Sequence, residues 1–159
     1  MVDGALFLRE TEEKLTRLYQ VAYSILRTRQ DAEDAVQQAL LKAWAARDRA
    51  KPDTFGPWLV RIVVNESRNI QRYRMRVMPF TAVAAEAEAF TPPDPDLWGA
   101  VQALPEGIRL PFSLKYVAQF TEREVAQVMH LPVSTVKNRL AKARKVLRAA
   151  LTEWEVSFE

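Results

Sequence analysis

The side chains in this sequence that are best suited to chemistry are Arg, Lys and Asn residues that recur at helical spacing in two separate stretches. The first stretch contains Arg61, Asn65, Arg68, Asn69 and Arg72. The second begins at position 134 and is rich in Lys and Arg. Long cations bind phosphates, and Arg, Lys and Asn also hydrogen-bond to the edges of bases. Both stretches therefore predict contact with nucleic acid.

The second stretch belongs to a longer segment, from residue 121 onward, that has the pattern of a helix-turn-helix. Residues 121–124 (TERE) form a capping box that would open a short helix, and Ala126 supplies a small residue where two helices would cross. The segment 130–132 (HLP) reads as a turn, in which we expect His130 to serve the backbone geometry, because His tolerates positive φ better than most residues. The last helix is then predicted from Val133 to about Trp154.

This last helix is predicted to lie in a major groove, with aliphatic residues anchoring it from behind. We expect Lys137, Asn138 and Lys142 to reach base edges and Ala141 to pack on a thymine methyl. The predicted phosphate ligands are Arg139, Arg144 and Lys145. The polar residues Ser134 and Thr135, at its start, are also expected to contact the DNA. The alternative without a binding function is a solvated basic face on an ordinary amphipathic helix.

Composition excludes several classes of function. The chain has 159 residues, of which 48% are hydrophobic and 27% charged, with a net charge of +3. This balance predicts a globular protein without membrane insertion. The absence of Cys excludes a disulfide framework, a thiolate nucleophile and a Cys-type zinc site, and the sequence has a single His. We predict no cofactor and no metal. The acidic N-terminus is unlike a signal peptide, which predicts a cytoplasmic protein.

The small net charge hides an uneven distribution along the chain. Residues 1–78 carry +4, residues 79–96 carry −4, and residues 97–159 carry +3. Two basic blocks that flank an acidic strip predict a polyanion that is contacted at two places.

The elements that would position these side chains are helices. Apolar residues recur at helical spacing and strand patterns are nearly absent, which predicts an all-α fold. In residues 1–78 we predict three helices: one with an apolar stripe from Leu15 to Leu26, one that opens at Asp31, and one with Pro57 as its first residue. The Pro-rich segment 79–96 reads as a flexible acidic linker with a possible short helix at 83–89, and residues 97–159 as a second helical domain.

In that second domain, Pro105 is predicted to start a helix, and Pro111 falls inside it, where it should cause a kink. In the first domain, the aromatic residues Trp44, Phe55 and Trp58 are most simply core residues. The alternative is stacking against an unpaired base, which requires an exposed ring beside cations. The acids at the start of the second helix favour a protein-docking surface over a nucleic-acid surface.

Two sets of motifs resemble the extracytoplasmic-function (ECF) sigma factors of bacterial RNA polymerase. Residues 31–44 (DAEDAVQQALLKAW) and 55–65 (FGPWLVRIVVN) resemble region two of that family. Residues 104–109 (LPEGIR), 120–126 (FTEREVA) and 135–144 (TVKNRLAKAR) resemble region four. The resemblance covers about residues 15–76 and 97–151. Each motif alone is moderately specific for this family. The presence of both sets in this order, separated by a short linker, is strongly specific for it.

The resemblance implies a function for each domain. The first domain would bind core RNA polymerase and the −10 element of the promoter, and the second would read the −35 duplex. The implied contacts to the clamp helices of the largest polymerase subunit are Asp31, Glu33, Asp34, Gln37 and Leu41. The implied −10 contacts are Lys51, Phe55, Trp58, Arg61, Asn65, Arg68, Asn69 and Arg72, with the loop 51–55 as a pocket for an extruded base. The polymerase flap and an anti-sigma factor are further implied partners.

The chain departs from the family pattern at several positions. Gln38 and Ala39 stand where the family commonly has Glu-Thr, and Pro111 and His130 are unusual in region four. Two other functions stay open at this point. A stand-alone regulator would use the helix-turn-helix without polymerase. A small nuclease or hydrolase is the third class, although no nucleophile–base pair and no nucleotide-binding loop is visible in the sequence.

Overall fold

The first compact unit of the chain is built from three helices that each contact the other two. In the computed structural model, which describes residues 2–77 and 95–150, the chain divides into units Met1–Glu86 and Ala87–Glu159. The helices of the first unit are α1 (Gly4–Leu26), α2 (Arg29–Ala45) and α3 (Phe55–Val77). Two 3-10 turns, Arg47–Arg49 and Pro52–Thr54, lie in residues 46–54, which we call the α2–α3 loop.

The core of this unit is formed by the predicted apolar stripes. Alanines on α2 allow the helices to approach closely, and larger residues on α1 and α3 fill the space against them. The residues that form this core include Leu18, Val21, Ala22, Ile25, Ala35, Val36, Ala39, Ala43, Leu59, Val60 and Val63. Helix α1 starts eleven residues before the predicted stripe, and Leu15 itself is 37% exposed.

The second unit contains α4 (Pro95–Gln102), α5 (Glu106–Tyr116), α6 (Glu122–Met129) and α7 (Val133–Ala150). Helices α4, α5 and α6 each contact α7, so α7 is the centre of this unit. The buried Arg109 of α5 donates to the carbonyl oxygen of Leu104, in the α4–α5 connection, at 2.8 Å and to that of Gln102, at the end of α4, at 3.4 Å.

All regular elements in the described residues are helical, which confirms the predicted all-α class. The predicted linker and the possible helix at 83–89 lie outside the described residues, except that α4 already begins at Pro95, two residues before the predicted domain start. The predicted boundaries at 78/79 and 96/97 stay predictions. Helix α5 runs through Pro111 from Glu106 to Tyr116 without interruption.

Candidate nucleic-acid interface

The residues of α7 divide into a buried side and an exposed side, as their spacing predicted. Four aliphatic residues are fully buried: Val136, Leu140, Ala143 and Leu147. The exposed residues define what we call the α7 stripe: Ser134, Lys137, Asn138, Ala141, Lys142 and Lys145. The apolar side anchors the helix within its unit, so cations and hydrogen-bonding groups are presented together to solvent.

Two arginines that are predicted to bind phosphates contact α5 in this structure. Nη1 of Arg139 donates to the carbonyl oxygen of Gly107 at 3.3 Å, and Nη1 of Arg144 donates to the Tyr116 hydroxyl at 3.2 Å. Pro111 has no N–H to donate to the Gly107 carbonyl, so the guanidinium of Arg139 occupies a position where a helix would normally supply a backbone donor. Both arginines are half-buried, as is Thr135. Each guanidinium has further N–H donors, so phosphate binding by these arginines stays a prediction.

The turn between α6 and α7 adopts the predicted geometry. Thr121 and Glu124 form both hydrogen bonds of the capping box, at 3.1 Å and 3.0 Å. His130 has φ 55° and ψ 44°, in the left-handed region, and its N–H donates to the carbonyl oxygen of Ala126. The N–H of Leu131 donates to the same oxygen at 3.1 Å. The prediction that His130 serves turn geometry is confirmed.

A carboxylate at the start of α6 lies close to several basic residues. Nζ of Lys115 donates to Oε1 of Glu122 at 2.8 Å. This hydrogen bond is the largest cause that lowers the pKa of Glu122 below its usual 4.5. Burial opposes it as the next largest effect, and the positive charges of Lys115, Lys137 and Arg144 lower the pKa further. Glu122 therefore joins α6 to α5.

The stripe of Arg and Asn on α3 lies on the solvent side of the first unit. Arg61, Asn65, Asn69 and Arg72 are exposed, and Arg68 is half-buried. We call these five residues the α3 stripe. From Arg61 to Arg72 it extends over about 17 Å of helix axis. Nη2 of Arg72 donates to Oδ1 of Asn69 at 2.6 Å, so these two side chains act as one pair on the surface.

The aromatic residues next to the α2–α3 loop form one cluster with differing exposure. Phe55 is 1% exposed and Trp58 is half-buried, which favours the core interpretation for Phe55. Trp44 is 42% exposed, and the guanidinium carbon of Arg47 lies 3.9 Å from its ring centre. Lys51 is exposed in the loop itself. Phe55 therefore supports the loop from beneath and presents no open ring to a base.

The predicted docking residues of α2 separate into exposed and engaged groups. Asp34, Gln37 and Leu41 are exposed on one face, and Leu41 is 65% exposed although it is apolar. Glu33 is half-buried and binds Nε of Arg29 at 2.8 Å.

Asp31 is only 4% exposed, so it lies inside the bundle and is withheld from a docking partner. Its Oδ1 accepts from Nη2 of Arg74 at 2.6 Å, and its Oδ2 lies 2.5 Å from Nε of Arg74. This ion pair ties the start of α2 to α3.

Sequence reasoning missed three groups that hold the site in place. Arg74 is the partner of Asp31, Lys42 is the partner of the buried Glu66, and Phe7 joins the aromatic cluster. The signal for Glu66 was a single acid within the basic stretch of α3. Within residues 2–77 and 95–150, no group of three potential metal ligands lies close together, and no helix is long and apolar enough to cross a membrane.

One helical unit carries a basic helix-turn-helix and the other carries a basic stripe of its own, and these features together indicate the class of DNA-binding transcription proteins. Comparison with known families narrows this class. Residues 12–77 match the family Sigma-70 region 2, and residues 96–147 match Sigma-70, region 4. The ECF RNA polymerase sigma-E factor of Escherichia coli K12 is 31% identical over 137 residues, which cover 74% of this chain and 72% of that protein.

Solved structures agree with these family matches. The sigma factor RpoE in complex with the anti-sigma factor NepR, from Bartonella quintana, superposes with a TM-score of 0.76 at 28% identity, over 92% of this chain and 96% of that one. CnrH in complex with the cytosolic domain of CnrY gives a TM-score of 0.72 at 27% identity, over 96% and 92% of the two chains. The chain belongs to the ECF family of RNA polymerase sigma factors, and it directs the initiation of transcription.

Proposed function

We propose that this sigma factor reads the −35 duplex with the α7 stripe, captures the melted −10 strand with the α3 stripe and the α2–α3 loop, and docks on core polymerase through α2. The observation that carries the proposal is the division of α7. The residues of the α7 stripe are exposed together, while Val136, Leu140, Ala143 and Leu147 are fully buried behind them.

The −35 function rests on side chains of the α7 stripe that are exposed and of the right chemistry. Lys137, Asn138 and Lys142 have the donors that read base edges in a major groove, and Ala141 between them is small enough to pack on a thymine methyl. Lys145 lies one turn further along and suits a phosphate. Because Arg139 and Arg144 contact α5, we assign them to holding α7 in position.

The −10 function rests on the α3 stripe and the exposed Lys51. A single strand needs cations along its backbone and groups that receive its unstacked bases. Arg61 and Arg72 supply exposed charge, and Asn65 lies between them with an amide that can hydrogen-bond to a base edge. Capture of transiently opened bases would trap the melted state, so melting would need no nucleotide hydrolysis.

Docking on polymerase rests on an apolar residue that is exposed among polar ones. Leu41 is 65% exposed one turn after Gln37 and two turns after Asp34. A partner that covers this face would bury Leu41 and meet the carboxylate of Asp34, which fits the implied clamp helices of the largest subunit. Asp31 contributes indirectly, since its ion pair with Arg74 fixes the start of α2.

Four further parts of the proposal draw on family membership and on a solved relative. The chain acts as a binding protein with no catalytic step of its own, and it works in the cytoplasm, where it meets its polymerase. The flap is the polymerase element implied for the second unit. An anti-sigma factor is proposed as a regulator, because the solved relative RpoE is in complex with one.

Selection of DNA from a randomised −35 library tests the proposal directly. The chain bound to core polymerase should enrich one −35 sequence, and Lys142→Ala should relax the preference at one or two positions, at a cost of about 1–3 kcal/mol. Arg123→Ala, an exposed cation on α6 outside the α7 stripe, is the matched control and should select as wild type does. Unchanged selection by Lys142→Ala would contradict the assignment of α7.

A further inference from the structure

The first turns of α1 lie before residue 12, where the match to Sigma-70 region 2 begins, yet they are firmly packed. Val2 is fully buried and Phe7 is 6% exposed. Asp3 caps the helix, since its Oδ1 accepts from the N–H of Leu6 at 2.8 Å and its carbonyl accepts from the N–H of Phe7 at 2.9 Å. These residues form an ordered element whose purpose the family match does not explain.

Phe7 contacts Trp44, which lies in the last turn of α2, two residues before the α2–α3 loop. Its ring centre lies 5.1 Å from that of Trp44 at an interplanar angle of 74°, an edge-to-face pair. Gly4 approaches the same indole so closely that a Cβ there would lie 3.4 Å from Cη2 of Trp44. On the loop side, Arg47 packs on the Trp44 ring and donates to the Trp44 carbonyl at 2.9 Å. The entry to the loop is thus connected to α1 through Trp44.

The same phenyl ring contacts the residue that follows the loop. The ring centres of Phe7 and Phe55 are 5.6 Å apart, and Phe55 is 5.7 Å from Trp58. Between these two ends, Ala50 is buried, whereas most other loop residues are exposed. The loop is thus held by hydrogen bonds within its two 3-10 turns, by the buried Ala50 and by the aromatic contacts near its two ends.

We propose that Phe7 is a positioning residue that fixes both ends of the α2–α3 loop and so preorganises it to capture the −10 strand. This inference rests on the proposed function of the loop. A loop that is ordered before binding loses less conformational freedom when the strand arrives, which improves capture without any new contact. Phe7 itself is buried and touches no DNA in this account.

Trypsin provides a readout of loop order in the full chain, because Arg47 and Arg49 lie in the loop while Lys51 is protected by the following proline. Phe7→Leu keeps an apolar side chain but loses both ring contacts. We expect cleavage after Arg47 and Arg49 to become about threefold to tenfold faster, since local cleavage follows the population of the open loop. Leu8→Ala, 60% exposed on the same helix, is the matched control and should be cleaved as wild type is.

Hydrogen exchange and promoter opening complete the test. Buried amides of α3 should exchange at the wild-type rate in Phe7→Leu, which separates loop release from unfolding of the unit. With core polymerase, Phe7→Leu should form fewer open complexes on duplex promoter than Leu8→Ala does. Unchanged tryptic cleavage, or acceleration matched by faster exchange throughout α3, would overturn the positioning role.

A variant in the loop itself distinguishes this inference from the function on which it rests. Lys51→Ala removes an exposed loop cation without altering the aromatic cluster. If Lys51→Ala lowers promoter opening and Phe7→Leu does not, the positioning inference is wrong and the function of the loop stands. If neither variant affects opening, the assignment of the loop to the −10 strand fails as well.

Discussion

Replacement of Arg74 by Met should destabilise the first unit far more than an ordinary surface Arg→Met change. The side chain of Asp31 is 6% exposed and that of Arg74 is 34% exposed. Loss of Arg74 would leave a carboxylate inside the bundle without its cation. Breaking a fully buried pair costs about 3–5 kcal/mol, and partial access of water to Arg74 reduces this to about 2–3 kcal/mol.

The magnitude translates into a large thermal shift. For a unit of this size, about 1 kcal/mol corresponds to about 4–8 °C, so Arg74→Met should melt about 10–20 °C below wild type. Asp31→Asn should cost less, about 1 kcal/mol, because the Arg74 that it leaves behind can reach water. The two substitutions should therefore differ in their cost to stability, and removal of Arg74, the more exposed partner, should cost more than removal of the Asp31 charge.

The assay is thermal unfolding of the full chain, with hydrogen exchange of α2 and α3 amides to locate the effect in the first unit. Arg72→Met is the matched control. Arg72 lies two residues before Arg74, is exposed, and donates a surface hydrogen bond to Asn69. If Arg74→Met and Arg72→Met had the same melting temperature, the ion pair between Asp31 and Arg74 would not contribute to the stability of the unit. In that case Asp31 could dock on polymerase directly, and Asp31→Asn would be expected to lose core binding without a change in melting temperature.

Three further changes give measurable outcomes. Leu41→Ser should weaken binding to core polymerase about 10- to 100-fold, measured by anisotropy of the labelled chain, because a covered Leu contributes about 1.5–3 kcal/mol; wild-type affinity would exclude Leu41 from the contact. Asn65→Ala should impair open-complex formation while core binding stays intact, and loss of core binding would mark Asn65 as structural. Glu122 has a lowered pKa in the folded chain, so the stability it contributes is present above about pH 4.5 and lost as the pH falls below. Urea unfolding should therefore show Glu122→Gln losing less stability than wild type between about pH 6 and pH 3, and parallel losses would contradict the assigned ion pair with Lys115.

Local periodicity was sufficient to predict the parts of the site that depend on one helix. The alternation of Val136 and Leu140 with Lys137 and Lys142 requires only a 3.6-residue repeat, and both sides of α7 lie as that repeat predicts. The capping box and the left-handed His130 are also local, because each is fixed by hydrogen bonds within a few residues.

Features that depend on a distant partner could not be predicted in this way. An acid in the first turn of a helix is ordinarily exposed, and only Arg74, 43 residues away, makes the buried position of Asp31 tolerable. The bond of Arg139 to Gly107, on another helix 32 residues away, has no local signal in the sequence. The early start of α1 escaped detection because the polar Thr11 is buried between Phe7 and Leu18 and interrupts the apolar stripe.

Reconstituted transcription with core RNA polymerase measures whether this chain directs initiation at specific promoters. Core polymerase, this chain and a library of genomic promoter fragments should yield defined start sites, preceded by a common −35 and −10 pair, that vanish when the chain is omitted. Lys142→Ala should change the −35 preference of these start sites, and Asn65→Ala should reduce their yield. Transcription that starts at the same positions with or without the chain would contradict the account.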